Sequence, residues 1–196
     1  MEHEEYYYPE KQSIDLLKAN RFGLKVLLIT LLGSLLLFYI IWHNSFLSKL
    51  KGLLETDGIL DFIAGFLILI MVMGIGIVAH ELIHGIFWAI FAKNGFRSIK
   101  FGILKQYLTP YCHCKEPLKV KHYITGAIMP AVFLGFIPLI LSLIYGSLGW
   151  LLFGIFFTAA AGGDFLMIKL LNKDPKNAWV QDHSSEPGYY VYRKKE

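Results

Sequence analysis

The chain has 196 residues, 55% hydrophobic and 15% aromatic, with a mean hydropathy of +0.49 and a formal net charge of +4. A soluble domain is only about 45–50% apolar, so lipid is the expected solvent, and the length suits one domain over residues 1–196. The positive charge does not make a nucleic-acid binder, because it lies between apolar segments and in the tail and forms no basic stripe.

Residues 1–21 are polar and rich in tyrosine, which reads as an irregular or short amphipathic lead-in with Tyr6, Tyr7 and Tyr8 anchoring at the interface. The first expected span covers residues 22–42, interrupted only by Lys25, which can snorkel. No small-residue cleavage site follows it, so it is expected to remain as an anchor. A polar loop with Lys49, Lys51, Glu55 and Asp57 comes next. The second span, residues 62–92, would be about 46 Å long as a helix, so it must tilt, break or protrude.

Residues 93–123 are polar and cationic, and the alternation from Phe101 to Tyr111 predicts short strands or a hairpin. A third span, 124–145, is expected to bend at Pro130 and Pro138. Residues 146–149 make a turn into a fourth span, 150–168. The tail, 169–196, is polar, with a strand expected from Tyr189 to Tyr192. The expected fold is therefore an all-α membrane protein of four transmembrane helices, with a small cytoplasmic β-hairpin-like segment between spans two and three. Of the 19 Lys and Arg residues, all but Lys49 and Lys51 fall on one side of such a bundle. That asymmetry places both termini in the cytoplasm, and the chain is expected to be a multi-pass protein of the cell membrane.

The chemistry concentrates in His80-Glu81-Leu82-Ile83-His84, at the end of the second apolar run. Positions i and i+4 share a helix face, so both imidazoles can reach one zinc ion, and Glu81 can polarise a metal-bound water. Ionisable groups are costly within a membrane, and a metal compensates them. The other reading of the two histidines is an interhelical hydrogen-bond cluster. A catalytic zinc takes a third protein ligand. Asp164 is the one carboxylate inside a later span, preceded by small residues from Ala159 to Gly163 that permit close helix approach. It reads either as that ligand or as an interfacial aspartate paired with Lys169. Counted from the cytoplasmic ends of their helices, His84 lies about 13 Å deep and Asp164 about 7 Å deep, a permissive match.

HELIH on a membrane helix, a Gly126/Pro130-marked span and Gly163-Asp164 on a later one together resemble the site-2 protease class of intramembrane zinc metalloproteases. More narrowly, the chain is similar to the DUF3267 group of zincin peptidases, through Tyr111-Cys112-His113-Cys114-Lys115-Glu116-Pro117-Leu118-Lys119 and through Asp182-His183 and Pro187-Gly188 in the tail. The similarity covers roughly residues 60–192. It implies His80, His84 and Asp164 as Zn2+ ligands and Glu81 as general base. It also implies a membrane-protein or peptide substrate, with the bilayer as surroundings. Met129-Pro130 and Gly163-Asp164-Phe165 replace the Asn-Pro and Leu-Asp-Gly forms of the larger site-2 proteases, a departure that bears on substrate selection.

Three features stay outside that assignment. Cys112-His113-Cys114 offers metal or redox groups, but three contiguous residues converge poorly on one ion and the cysteine spacing is poor for a disulfide, so packing at the membrane surface is expected. Asp182 and His183 read as a turn-stabilising pair. Residues 93–123 could gate the site or hold an unwound substrate by strand addition. Against the protease stand a non-catalytic metal-binding scaffold, which needs no base beside its ligands, and a metal transporter, whose acceptors would line a path rather than cluster.

Overall fold

The computed structural model describes residues 7–13, 15–104, 109–183 and 188–194. Tyr6, Pro187 and the side chains of Tyr7 and Tyr8 lie outside the described residues.

Among the described residues the first element is strand β1 (Tyr7–Ser13), within the stretch expected to be an irregular or short amphipathic lead-in. Helix α1 (Leu16–Leu54) then starts earlier than expected, because the Asp15 carboxylate accepts from the Leu17 amide at 2.9 Å and caps the first turn. It also runs through Lys49 and Lys51, which had been placed in a loop, bending at Trp42 (φ −114°, ψ 21°). The Trp42 indole donates to the Leu143 carbonyl at 3.0 Å, and Lys49 Nζ sits 4.6 Å above its ring. Helix α2 (Ile59–Phe91) is unbroken for 33 residues.

A 3-10 turn (Gly95–Ser98) leads into the hairpin β2 (Ile99–Leu104) and β3 (Thr109–Cys114), antiparallel with Phe101 opposite Cys112. The expected hairpin is present. Strand β4 (Leu118–Lys119) precedes helix α3 (Val120–Pro130). Pro130 cannot donate to the helical ladder, and the backbone widens into a π-turn (Ala131–Phe136) before α4 (Ile137–Tyr145). The fourth apolar run divides into α5 (Leu148–Ala160) and α6 (Gly162–Leu171), bent by 44° at the small residues where little side-chain packing resists a break. Strands β5 (Trp179–Asp182) and β6 (Gly188–Lys194) complete the chain.

The all-α expectation is thereby corrected. The protein is mostly helical, but its first and last described strands pair in a four-stranded antiparallel sheet of order β1-β6-β5-β4, with Tyr7 opposite Lys194. Pairing between segments so distant in sequence leaves no local periodicity to read. Three helical stretches are long and apolar enough to cross a membrane (Leu17–Leu53, Ile59–Phe91 and Val120–Tyr145), and the bent α5–α6 pair is a fourth candidate.

Two apolar cores hold the bundle at its two ends. One joins the inner face of the four-stranded sheet (Val180, Tyr189, Val191) to Leu118, Val120, Trp88 and Leu171 at the helix ends. The other packs Phe38 of α1 against Leu148, Leu151 and Ile155 of α5. The tail also caps α3: the Val120 amide donates to the Ala178 carbonyl at 2.9 Å and Lys121 to Lys176 at 3.1 Å.

Candidate metal centre

The HELIH residues occupy the last third of α2. His80 and His84 are buried, and Glu81 is half-buried between them and the hairpin. Residues 80 and 84 lie one turn apart on one face, with ring centroids 4.9 Å apart. Asp164 enters from the first turn of α6, where the break at Ala161 turns it inward and where a helix N-terminus favours an anion. On its other side α6 comes close to α1: a Cβ on Gly162 would stand 3.0 Å from the Gly23 Cα.

His80 Nε2 lies 3.2 Å from Asp164 Oδ2, and His84 Nε2 lies 3.3 Å from Asp164 Oδ1. One ligand atom from each of the three residues falls within 4.8 Å of the others. Two donors each about 2.0–2.1 Å from a tetrahedral ion stand roughly 3.3–3.4 Å apart, and each imidazole stands at about that spacing from one of the two Asp164 oxygens. Two imidazoles and a carboxylate also leave the fourth corner open, as a hydrolytic site requires. The residues fit the ion. Lys169, the other partner considered for Asp164, lies instead 5.5 Å over the ring of Phe22.

The two imidazoles are held differently. His84 Nδ1 lies 2.9 Å from the Gly126 carbonyl of α3, a contact in which the ring N–H donates and which leaves Nε2 free to ligate. Trp88 stacks on His84 at 5.0 Å and on Tyr123 at 4.9 Å, while its indole donates to the Tyr123 carbonyl at 3.0 Å. Position 126 must be glycine for α3 to come this close, since a Cβ there would stand 2.1 Å from the Trp88 ring. His80 Nδ1 has no hydrogen-bond partner among the described residues, so no such bond sets its tautomer.

The hairpin covers the site. Phe101 of β2 packs on Gly85 of α2, and the backbone amide of Cys112 in β3 is directed at the Glu81 carboxylate. Cys112 and Cys114 are both free thiols. Burial pushes both thiols up, and the nearby Glu81 and Asp182 carboxylates push Cys112 further; Cys114 reaches about 11. Protonated thiols of this kind are poor nucleophiles and poor ligands, which agrees with packing rather than redox chemistry.

Sequence coupled Asp182 to His183, and in the structure the His183 ring stacks on Tyr190 at 5.1 Å. The Asp182 carboxylate accepts from the Tyr123 hydroxyl and, at 3.2 Å, from the Cys114 amide. These partners are 59 and 68 residues away, so no spacing could reveal them. Trp88 and Tyr123 were likewise invisible as site residues, because apolar helices are full of such side chains; Gly126 stood out only as a marker of its span. A cleft of about 330 Å³, lined by Pro9, His113, Gln181, Asp182, Tyr190 and Tyr192, includes none of His80, Glu81, His84 or Asp164.

No curated protein and no solved structure matches the chain. The family model DUF3267, described as "Putative zincin peptidase", matches residues 73–179, more than half of the chain and a stretch that contains the HELIH segment, the hairpin and Asp164. With a zincin pentapeptide inside that match and donors spaced for zinc, the chain belongs to the DUF3267 family and is a zinc metallopeptidase of that family.

Proposed function

We propose that this protein is an intramembrane protease of the site-2 kind, hydrolysing peptide bonds of membrane-associated substrates at a centre where His80, His84 and Asp164 hold zinc. The observation that carries the reading is the approach of Asp164 to both imidazoles from a separate helix. Zinc there supplies a Lewis acid that polarises a carbonyl and acidifies water. Glu81, one residue from His80 and facing the same space, takes the proton of the attacking water and returns it to the leaving amine. Gly126 holds the His84 ring in the tautomer that ligates. The β2–β3 hairpin, seated on Gly85, excludes bulk water and gates the substrate, which must be unwound because a helix hides its peptide bonds in its own ladder.

The depth of the site supports cleavage near one face of the bilayer. About 20 residues cross a hydrocarbon core, so a span beginning at Asp61 of α2 ends beside His80 and Glu81. The cation asymmetry supports the cytoplasm as that face, with both termini on the same side.

The test is direct. Full-length protein in lipid vesicles is assayed for zinc per chain and for cleavage of quenched fluorescent membrane peptides. Wild type should carry zinc and cleave, whereas Glu81→Gln should keep zinc and lose at least about 1,000-fold in kcat, the scale expected when a general base and its positioning are both removed. Zinc without Glu81-dependent cleavage refutes the enzyme.

A further inference from the structure

We infer that Asp182, in the C-terminal tail, is a positioning residue that sets the hairpin over the metal centre and ties it to the helix that orients His84. The kinetic part rests on the protease reading above; the structural part does not.

The argument starts from the edge of β3. Amides two residues apart on a strand point to the same side. In β3 that side is the one away from β2, and its two amides at 112 and 114 face two carboxylates: Cys112 faces Glu81, and Cys114 donates to Asp182 at 3.2 Å. The strand therefore reaches the catalytic base through one amide and is gripped through the next. Asp182 grips from outside the helix bundle, at the end of β5.

The same carboxylate reaches α3. Its second oxygen accepts from the Tyr123 hydroxyl, and Tyr123 is 4% exposed. Through its carbonyl and its ring, Tyr123 holds Trp88 of α2, which stacks on His84. One turn further along α3, the Gly126 carbonyl takes the His84 proton. His113 of β3 adds a longer contact, Nδ1 to Asp182 Oδ2 at 3.7 Å. One aspartate thus fixes β3, α3 and β5 in a single relation, and the two outputs of that relation are the positions of Glu81 and His84. A carboxylate suits this place because it accepts at both oxygens; an amide could still accept from Cys114 but would meet Tyr123 with a donor, reversing that bond.

The experiment uses full-length protein in zinc-loaded vesicles, comparing wild type, Asp182→Ala, Asp182→Asn, Tyr123→Phe and Glu81→Gln. Amide exchange at Cys112 and Cys114, zinc per chain, and kcat and KM are each measured. For Asp182→Ala, exchange at Cys112 and Cys114 should rise about tenfold or more while the α2 amides stay protected. Zinc should remain, and kcat should fall about 10–100-fold with KM within about twofold. Asp182→Asn and Tyr123→Phe should show the same pattern with smaller loss, and they carry the test if the alanine variant does not fold. Unchanged exchange in all three, or a loss confined to KM, overturns the proposal. If wild type shows no Glu81-dependent cleavage, the protease reading fails, and the exchange data still decide whether Asp182 holds the strand.

Discussion

Helix α2 has two largely apolar halves with opposite surroundings. From Ile59 to Val72 every residue is exposed, and they are almost all apolar. From Gly76 to Ala89 the same helix buries two glycines, two histidines, Trp88 and Ala89 against α3, α5 and the hairpin. Apolar character therefore does not tell a lipid-facing stretch from a protein core. What separates the halves is their small and polar residues, which matter only where another element comes close.

The comparison breaks most readily at the proposed ligands. Asp164→Ala should weaken zinc binding by more than about 100-fold, beyond the 10–100-fold typical of an outer-shell partner, as read by competition with a chelator. Lys169→Ala should leave zinc affinity unchanged, because Lys169 faces Phe22 instead.

In the bare half, the solvent itself is tested. Ile68→Arg should cost about 2.5–3.5 kcal/mol of insertion free energy, the scale for a charge at the centre of a membrane helix, whereas Ile68→Ala should cost under about 1 kcal/mol. An insertion assay in microsomes distinguishes them. Equal effects would mean that this half does not face lipid.

Glycines sharpen the contrast on one helix. A Cβ at Gly76 would stand 2.2 Å from the ring of Phe157, which is fully buried and has nowhere to go. Gly76→Ala should therefore destabilise by about 1–3 kcal/mol. Gly85→Ala should cost less, since Phe101 is 45% exposed and can swing aside. Gly65→Ala meets nothing within 4 Å and should stabilise the helix by up to about 1 kcal/mol. Thermal unfolding in detergent gives the order.

The smallest effect concerns the hairpin's root. Burial raises the Glu116 carboxyl, but hydrogen bonds donated by the Asn94 side chain and the Lys93 amide outweigh it, leaving the group below its usual range. A depressed carboxyl stabilises the fold above its unfolded value, and that contribution is lost as pH falls through the folded value. Glu116→Gln should lower Tm by no more than about 1–2 °C at pH 7, and the difference from wild type should close in acid.

How far the sequence carried depends on how local each feature is. The HELIH pair was legible because an i, i+4 relation is fixed by helix geometry alone. Asp164 was found because a carboxylate in an apolar run is costly enough to demand a partner. The hairpin showed in the alternation from Phe101 to Tyr111. The N-terminal strand, the break between α5 and α6 and the role of Asp182 were not legible, since each depends on a partner far along the chain.

By itself, the sequence determined the apolar spans, the zincin pentapeptide and the one carboxylate able to join it, since each follows from periodicity or from the cost of burying charge. Only the tertiary structure decided that Asp164 faces both histidines, that the first and last described strands close a sheet over the helix ends, and that Asp182 grips β3 and α3. Those relations are set by which surfaces pack together, and packing between distant segments leaves no trace in local spacing.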